Sequence, residues 1–96
     1  MKKHLTLPEL QQHIKAKDFK PDKKLAYFLK LSEEVGELAE VIRKDKRLAA
    51  KKSIKGTIEE ELADVLYYVL ALANVYDIDL EHCFHLKEKL NQAKYE

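Results

Sequence analysis

Five carboxylates stand at spacings that call for an explanation. Glu61 and Asp64 lie three residues apart at the head of a run, Leu62 to Tyr76, in which almost every residue is apolar. At helical periodicity Glu61 falls in line with Val65, Tyr68 and Leu72, and Asp64 falls between Tyr68, Ala71 and Val75. Both acids therefore project from surface that should be buried. An uncompensated buried carboxylate must find a cation, take up a proton or accept several hydrogen bonds. Two of them at i, i+3 share a helix face and repel each other. Upstream, Glu33-Glu34-Val35-Gly36-Glu37 supplies a second such pair, Glu34 and Glu37, on the flank beside Leu38 and Val41, with Glu33 and Glu40 on roughly the opposite side. Packing the two pairs face to face would gather four acids, an arrangement that a hard divalent cation with oxygen ligands makes reasonable. Mg²⁺ is the natural choice and Mn²⁺ the alternative. Two other arrangements stay open at this level: solvated glutamate-rich faces, and neutralisation of Glu61 and Asp64 by a Lys or Arg from elsewhere in the chain.

Four helices would carry these residues. The first opens at Thr6-Leu7-Pro8-Glu9, where Thr6 can cap, Pro8 suits the first turn and Glu9 sits at the capping-box position. Leu7, Leu10, His13 and Ile14 follow at helical spacing, and Asp18 to Asp22, with Pro21 inside, breaks the pattern. The second helix is expected from about Asp22 to about Arg47, with Phe28, Leu31, Val35, Leu38 and Ile42 on one face. A basic stretch from Lys44 to Lys55 ends at Gly56 as a loop. The third helix begins at Thr57, with Glu60 at the capping-box position, and is apolar on all sides, as a helix surrounded by others must be. Asp77-Ile78-Asp79 is the next break, and Asp79 caps a fourth helix from Leu80 to near the C-terminus. The expectation is an all-α, four-helix-bundle-like single domain over residues 1–96.

Composition narrows the function classes. With 18 Lys and Arg against 17 Asp and Glu, no overall field recruits nucleic acid or membrane. One Cys excludes an internal disulfide framework and a cysteine-based zinc site, and fits a reducing cytoplasm. No apolar run reaches the roughly 18 residues of a membrane span, and the start MKKHLTLPEL has no apolar signal region. A domain this small buries a limited core, so self-association is expected. His82, Cys83 and His85 would need a further ligand to hold zinc. Asn74, the only amide in the apolar helix, reaches either a base edge or a neighbouring backbone. The basic stretch, lacking interleaved aromatics, reads as a solvated loop, so no nucleic-acid partner is expected.

Glu33-Glu34-Val35-Gly36-Glu37-Leu38-Ala39-Glu40, followed by Glu60-Glu61-Leu62-Ala63-Asp64-Val65-Leu66, resembles the MazG-like all-α nucleoside triphosphate pyrophosphohydrolases, whose signature is EE-x-x-E and then E-x-x-D. The likeness extends to Thr6-Leu7-Pro8-Glu9-Leu10 and to Lys87-x-x-x-Asn91-x-x-Lys94-Tyr95. It implies a helical bundle assembling as a homodimer or homotetramer. It also implies Mg²⁺-dependent cleavage of nucleoside triphosphates to monophosphate and pyrophosphate. On this resemblance Glu34, Glu37, Glu61 and Asp64 match the metal ligands. Glu33 matches the first acid of the motif, where it can position water or a second metal. Lys87, Asn91 and Lys94 match phosphate- and substrate-contacting positions, and they share one helix face by spacing. Relatives often continue past the position of Glu96 with a Pro and further residues. The rival reading is a catalytically silent nucleotide-binding or regulatory bundle.

Overall fold

The computed structural model describes residues 4–95, with side chains through residue 93. Four α-helices follow one another: α1 Leu7–Lys17, α2 Lys24–Arg43, α3 Ile58–Val75 and α4 Leu80–Tyr95. The all-α, four-helix expectation holds. At the start of α1 the full capping box forms: the Glu9 N–H donates to Thr6 Oγ1 at 3.3 Å, and the Thr6 N–H donates to Glu9 Oε1 at 3.0 Å. At α3 only half of it does. The Glu60 N–H donates to Thr57 Oγ1 at 3.1 Å, while the Glu60 carboxylate accepts from Gly56 N–H at 2.7 Å. Gly56 has a φ of +76°, which lets the chain turn sharply into the helix. Asp79 Oδ1 accepts from the His82 N–H at 3.2 Å, the cap expected for α4.

The second helix is shorter than its periodicity suggests, and both ends have a local cause. Lys23 N–H closes a turn onto Lys20 O at 2.9 Å, so the helix starts at Lys24. At the other end Asp45 takes a φ of +50°. Asp45 N–H then bonds Ile42 O, and Lys46 N–H bonds Val41 O, each at 3.0 Å. This is a Schellman closure with aspartate in the left-handed position usually held by glycine. The end of α3 repeats it: Asp77 has a φ of +56°, Asp77 N–H bonds Asn74 O at 3.0 Å, and Ile78 N–H bonds Ala73 O at 2.9 Å.

The core lies where α1, the start of α2, the second half of α3 and the start of α4 meet. Ile14, Tyr27, Leu70, Ala71 and Val75 are buried there, with Leu7, Leu10, Tyr67, Tyr68, Leu72 and Leu80 packed against them. Its polar staple is an amide pair that joins all but α2. Gln11 Nε2 donates to Asn74 Oδ1 at 3.1 Å and to Ile78 O at 2.9 Å. Asn74 Nδ2 donates to Gln11 O at 2.9 Å, and Leu80 N–H donates to Gln11 Oε1 at 3.1 Å. Of the two roles open to Asn74, the neighbouring backbone is the one it takes.

Two packing expectations need correction. The apolar face read for α2 is only partly its buried face: Leu31 and Leu38 are half-buried, Phe28, Val35 and Ile42 are about half exposed, and the buried residues of α2 are Tyr27 and Glu34. Nor is α3 enclosed on all sides within one chain, since Leu62 is 53% and Leu66 44% exposed. The reason is shared. α2 and α3 form the most extensive helix pair, α1 covers part of α3, and α4 packs on α1. One chain thus supplies too few neighbours for an α3 that is apolar all round. No described helix is long and apolar enough to cross a membrane.

Candidate metal centre

The antiparallel pairing of α2 and α3 sets the register of the acids. Tyr27, near the start of α2, lies beside Tyr67 and Tyr68 in the second half of α3. Seven residues on, Glu34 therefore meets the first turns of α3. There Glu34, Glu61 and Asp64 each bring a carboxylate oxygen to within 4.8 Å of the others. Glu34 and Glu61 are each only 7% exposed, and Asp64 is half-buried.

None of the three has an ion-pair partner among the described residues, so the arrangement with a neutralising Lys or Arg does not occur there. Glu34 Oε2 and Glu61 Oε2 are buried without a hydrogen-bond donor among the described residues. The electrostatic cost shows in the protonation equilibria. Burial, then the neighbouring Glu61, Glu37 and Asp64, push the Glu34 carboxyl up to about 7. Glu61 and Asp64 are raised too, in each case chiefly by burial. A proton on Glu34 shared with Glu61 relieves the repulsion when nothing else does. A divalent cation would relieve it more completely, and an all-oxygen, carboxylate-rich donor set suits Mg²⁺ or Mn²⁺ rather than a soft metal. The residues present therefore fit such an ion. Among the described residues no other group of His, Cys, Asp and Glu converges in this way, and His82, Cys83 and His85 are all exposed.

The other expected site residues lie beside this triad or away from it. Glu37, one turn beyond Glu34 and exposed, is near enough to act on the Glu34 carboxyl by hydrogen bonding as well as by charge, and its charge also acts on Glu61 and Asp64. Glu33 is exposed and paired with Lys30 Nζ at 3.4 Å. Lys87 is exposed and Asn91 half-buried on α4. No hydrogen bond or ion pair among the described residues joins either to the acids. The side chain of Lys94 lies outside those described. Glu59 turns outward, where its carboxylate accepts from Leu48 N–H at 2.9 Å and from Arg47 Nε at 3.4 Å. The basic loop is thereby tied to the acidic first turn of α3.

Beyond the acids, sequence reasoning passed over Asp18, read as part of a helix break. Its Oδ1 accepts from Tyr27 Oη at 2.7 Å and its Oδ2 from Tyr67 Oη at 3.0 Å. Tyr27 Oη in turn accepts from the Lys20 N–H at 3.1 Å. Burial and this carboxylate push the Tyr67 phenol up to about 12. No local signal marks Asp18, because Tyr67 is 49 residues away in sequence. Gln11 did carry a signal, an amide beside Leu10 and one turn before Ile14 on the core-facing side of α1.

Residues 22–94 match the MazG nucleotide pyrophosphohydrolase domain, a stretch that contains every acid of the cluster. The chain belongs to this family. It is 36% identical over 74 residues to the uncharacterized protein YpjD of Bacillus subtilis (strain 168), covering 68% of this chain and 67% of that protein. Its fold matches crystal structures of iMazG from Vibrio DAT 722. The N-terminally tagged form gives a TM-score of 0.87 at 50% identity, covering 96% of this chain and 99% of that one. The C-terminally tagged form gives 0.85 at 50% identity, covering 92% and 99%. The MazG-like resemblance read from the two acidic motifs is thus the family to which the chain belongs, and the clustered acids lie inside its matched domain.

Proposed function

We propose that this protein is a Mg²⁺-dependent nucleotide pyrophosphohydrolase that cleaves (deoxy)nucleoside triphosphates to monophosphate and pyrophosphate in the cytoplasm, the whole chain acting as one such domain. The observation that carries this is the buried Glu34–Glu61–Asp64 triad, with two orphaned oxygens, inside a MazG domain. Glu34, Glu61 and Asp64 would hold the ion, with Glu37 turning inward from the rim to complete the set. When bound, the ion supplies charge neutralisation to phosphate oxygens and acidifies water. The chain's residues do the rest. Burial of Glu34 and Glu61 excludes bulk water and strengthens every charge interaction at the site. Glu33, once released from Lys30, can hold a water in line for attack and accept its proton. Lys87, Asn91 and Lys94 would meet the phosphate chain from α4 and stabilise the charge that gathers on departing pyrophosphate. Within one described chain α4 lies on α1, so this part of the reading is supported by the family resemblance and by assembly as a homodimer or homotetramer. Assembly is in turn favoured by the half-exposed apolar residues of α2, α3 and α4.

The deciding experiment incubates the protein with each common ribo- and deoxynucleoside triphosphate and Mg²⁺, reading monophosphate and pyrophosphate separately. Release of both, abolished by EDTA and by Glu61→Gln, is the expected result. Tight nucleotide binding with no turnover would instead identify a silent regulatory bundle.

A further inference from the structure

From Lys44 to Lys55 the chain carries six cations and one acid, Asp45. Three anchors fix where this loop lies. Lys46 O accepts from the Ile58 N–H at 2.8 Å, the Leu48 N–H donates to the Glu59 carboxylate at 2.9 Å, and the Gly56 N–H donates to that of Glu60 at 2.7 Å. The loop thus folds back onto the first turn of α3. Ile58 precedes Glu61 and Asp64 by roughly 5 and 9 Å along the helix axis. Two of the cations are engaged, Lys44 with Glu40 at 3.1 Å and Arg47 with Glu59 at 3.4 Å. The other four, Lys46, Lys51, Lys52 and Lys55, are exposed and have no ion pair among the described residues.

Unpaired acids and unpaired lysines therefore flank the same end of the α2–α3 pair without neutralising each other. Glu34 and Glu61 are buried between the helices, and the anchored backbone holds the lysines in solvent. A surface divided in this way suits a ligand divided in the same way, a divalent cation carrying a polyphosphate chain. The carboxylates attract the cation and repel the chain, so the chain needs positive charge of its own nearby. We infer that Lys46, Lys51, Lys52 and Lys55 capture the polyphosphate chain of the substrate and steer it to the acids. This rests on the nucleotide pyrophosphohydrolase reading above, and it assigns a role to a loop outside that reading. The lysines are positioning residues: they act through their field on the approaching anion and take no part in bond breaking. A patch of one sign raises association rates by about 10- to 1,000-fold and loses the effect in salt.

The test is calorimetric binding of inorganic tripolyphosphate with Mg²⁺ in excess, across a salt series from about 0.01 M, where the screening length is about 30 Å, to about 1 M, where it is about 3 Å. The variant replaces Lys46, Lys51, Lys52 and Lys55 together by Gln. At the lowest salt the wild type should bind about tenfold or more tightly than this variant, and the two should converge at the highest. Lys→Arg at the same four positions keeps the charge and should restore the wild-type salt curve. Gln at Lys15, Lys17, Lys24 and Lys89, an equal loss of charge spread over α1, α2 and α4, should change binding by no more than about twofold. With a nucleoside triphosphate, the loop variant should raise KM and leave kcat unchanged. Equal binding by wild type and loop variant at low salt overturns the inference, as does an equal loss in the distributed variant, which would mark net charge alone. So does a single-stranded oligonucleotide that binds through the loop more tightly than tripolyphosphate, since that marks a nucleic-acid surface. Loop-dependent tripolyphosphate binding without triphosphate hydrolysis would count against the enzymatic reading alone. Hydrolysis with a KM indifferent to the loop would count against this inference alone.

Discussion

Glu61 is the residue at which metal ligation and structural burial make opposite predictions. Glu61→Gln keeps the side chain's size and removes one charge from a repelling cluster, and its amide can donate to the neighbouring Glu34 carboxylate. The metal-free variant should be more stable than the wild type, by about 1–3 kcal/mol in urea denaturation. It should also lose the rise in melting temperature that Mg²⁺ gives a protein whose folded state alone binds it. A destabilised variant that still responds to Mg²⁺ would remove Glu61 from the ligand set. The same cluster sets the pH dependence. Glu34 is pushed up to about 7, and Glu61 and Asp64 are raised as well. Between the ordinary carboxyl range and about 7, the folded state therefore holds protons that the unfolded chain has released. Stability of the metal-free protein should fall as pH rises through that window. Mg²⁺ should then stabilise strongly above it and little near about pH 5, where protons occupy the same oxygens. Thermal melts with Mg²⁺ and with EDTA across the range check both signs. A metal-free melting temperature that climbs toward neutrality would contradict the convergence of the acids.

At the level of elements, the two Schellman closures show how the chain ends helices with little glycine. Asp45, exposed and without a side-chain hydrogen bond among the described residues, accepts a left-handed φ of +50° to stop α2. Asp45→Gly should stabilise the protein by about 0.5–1 kcal/mol, and Asp45→Val should destabilise it by at least as much. Chemical denaturation of the pair measures this, and two variants equal to wild type would mean that the closure carries no strain. Asn74 is a different kind of joint. Its amide and that of Gln11 hold α1 against the α3–α4 turn, so Asn74→Ala should cost about 2 kcal/mol by leaving Gln11 groups unpaired. The capping residues Thr6, Thr57 and Asp79 were legible in the sequence because a cap acts within three residues of itself. The early end of α2 was not, because aspartate in the left-handed region gives no signal that distinguishes it from aspartate in a helix.

For the whole molecule, the proposal to test is self-association. Leu25, Leu29, Phe84 and Leu90 are each more than half exposed, on α2 and α4. Exposed apolar residues of this kind are what the proposed self-association would cover. Light scattering at tens of micromolar should give the mass of a dimer or tetramer. Leu29→Glu, at a position already open to solvent in one chain, should lower that mass if α2 forms the interface, while leaving helicity intact. A fully helical wild-type monomer at that concentration would contradict the reading of these faces as self-covering.

What the amino-acid sequence determined by itself was what depends on near neighbours and on period. It specified four helices, their caps, the apolar run of α3 and two carboxylate pairs that local chemistry could not justify. Those pairs sufficed for the family because the motif is local on each helix. Only the tertiary structure decided which acids converge. The pairing of α2 with α3 brings Glu34 to Glu61 and Asp64 and leaves Glu37 at the rim and Glu33 outside, a difference of rotation about a helix axis that a motif does not encode. Likewise, Asp18 became visible only when Tyr27 and Tyr67 closed on it, since a hydrogen bond across 49 residues leaves no trace in local spacing. The partly misassigned face of α2, where Leu31 and Leu38 turn inward but Phe28, Val35 and Ile42 do not, has the same origin. Periodicity reports that a stripe is apolar, whereas burial depends on which neighbour the fold supplies, and a single chain places Tyr27 and Glu34 against α3 instead.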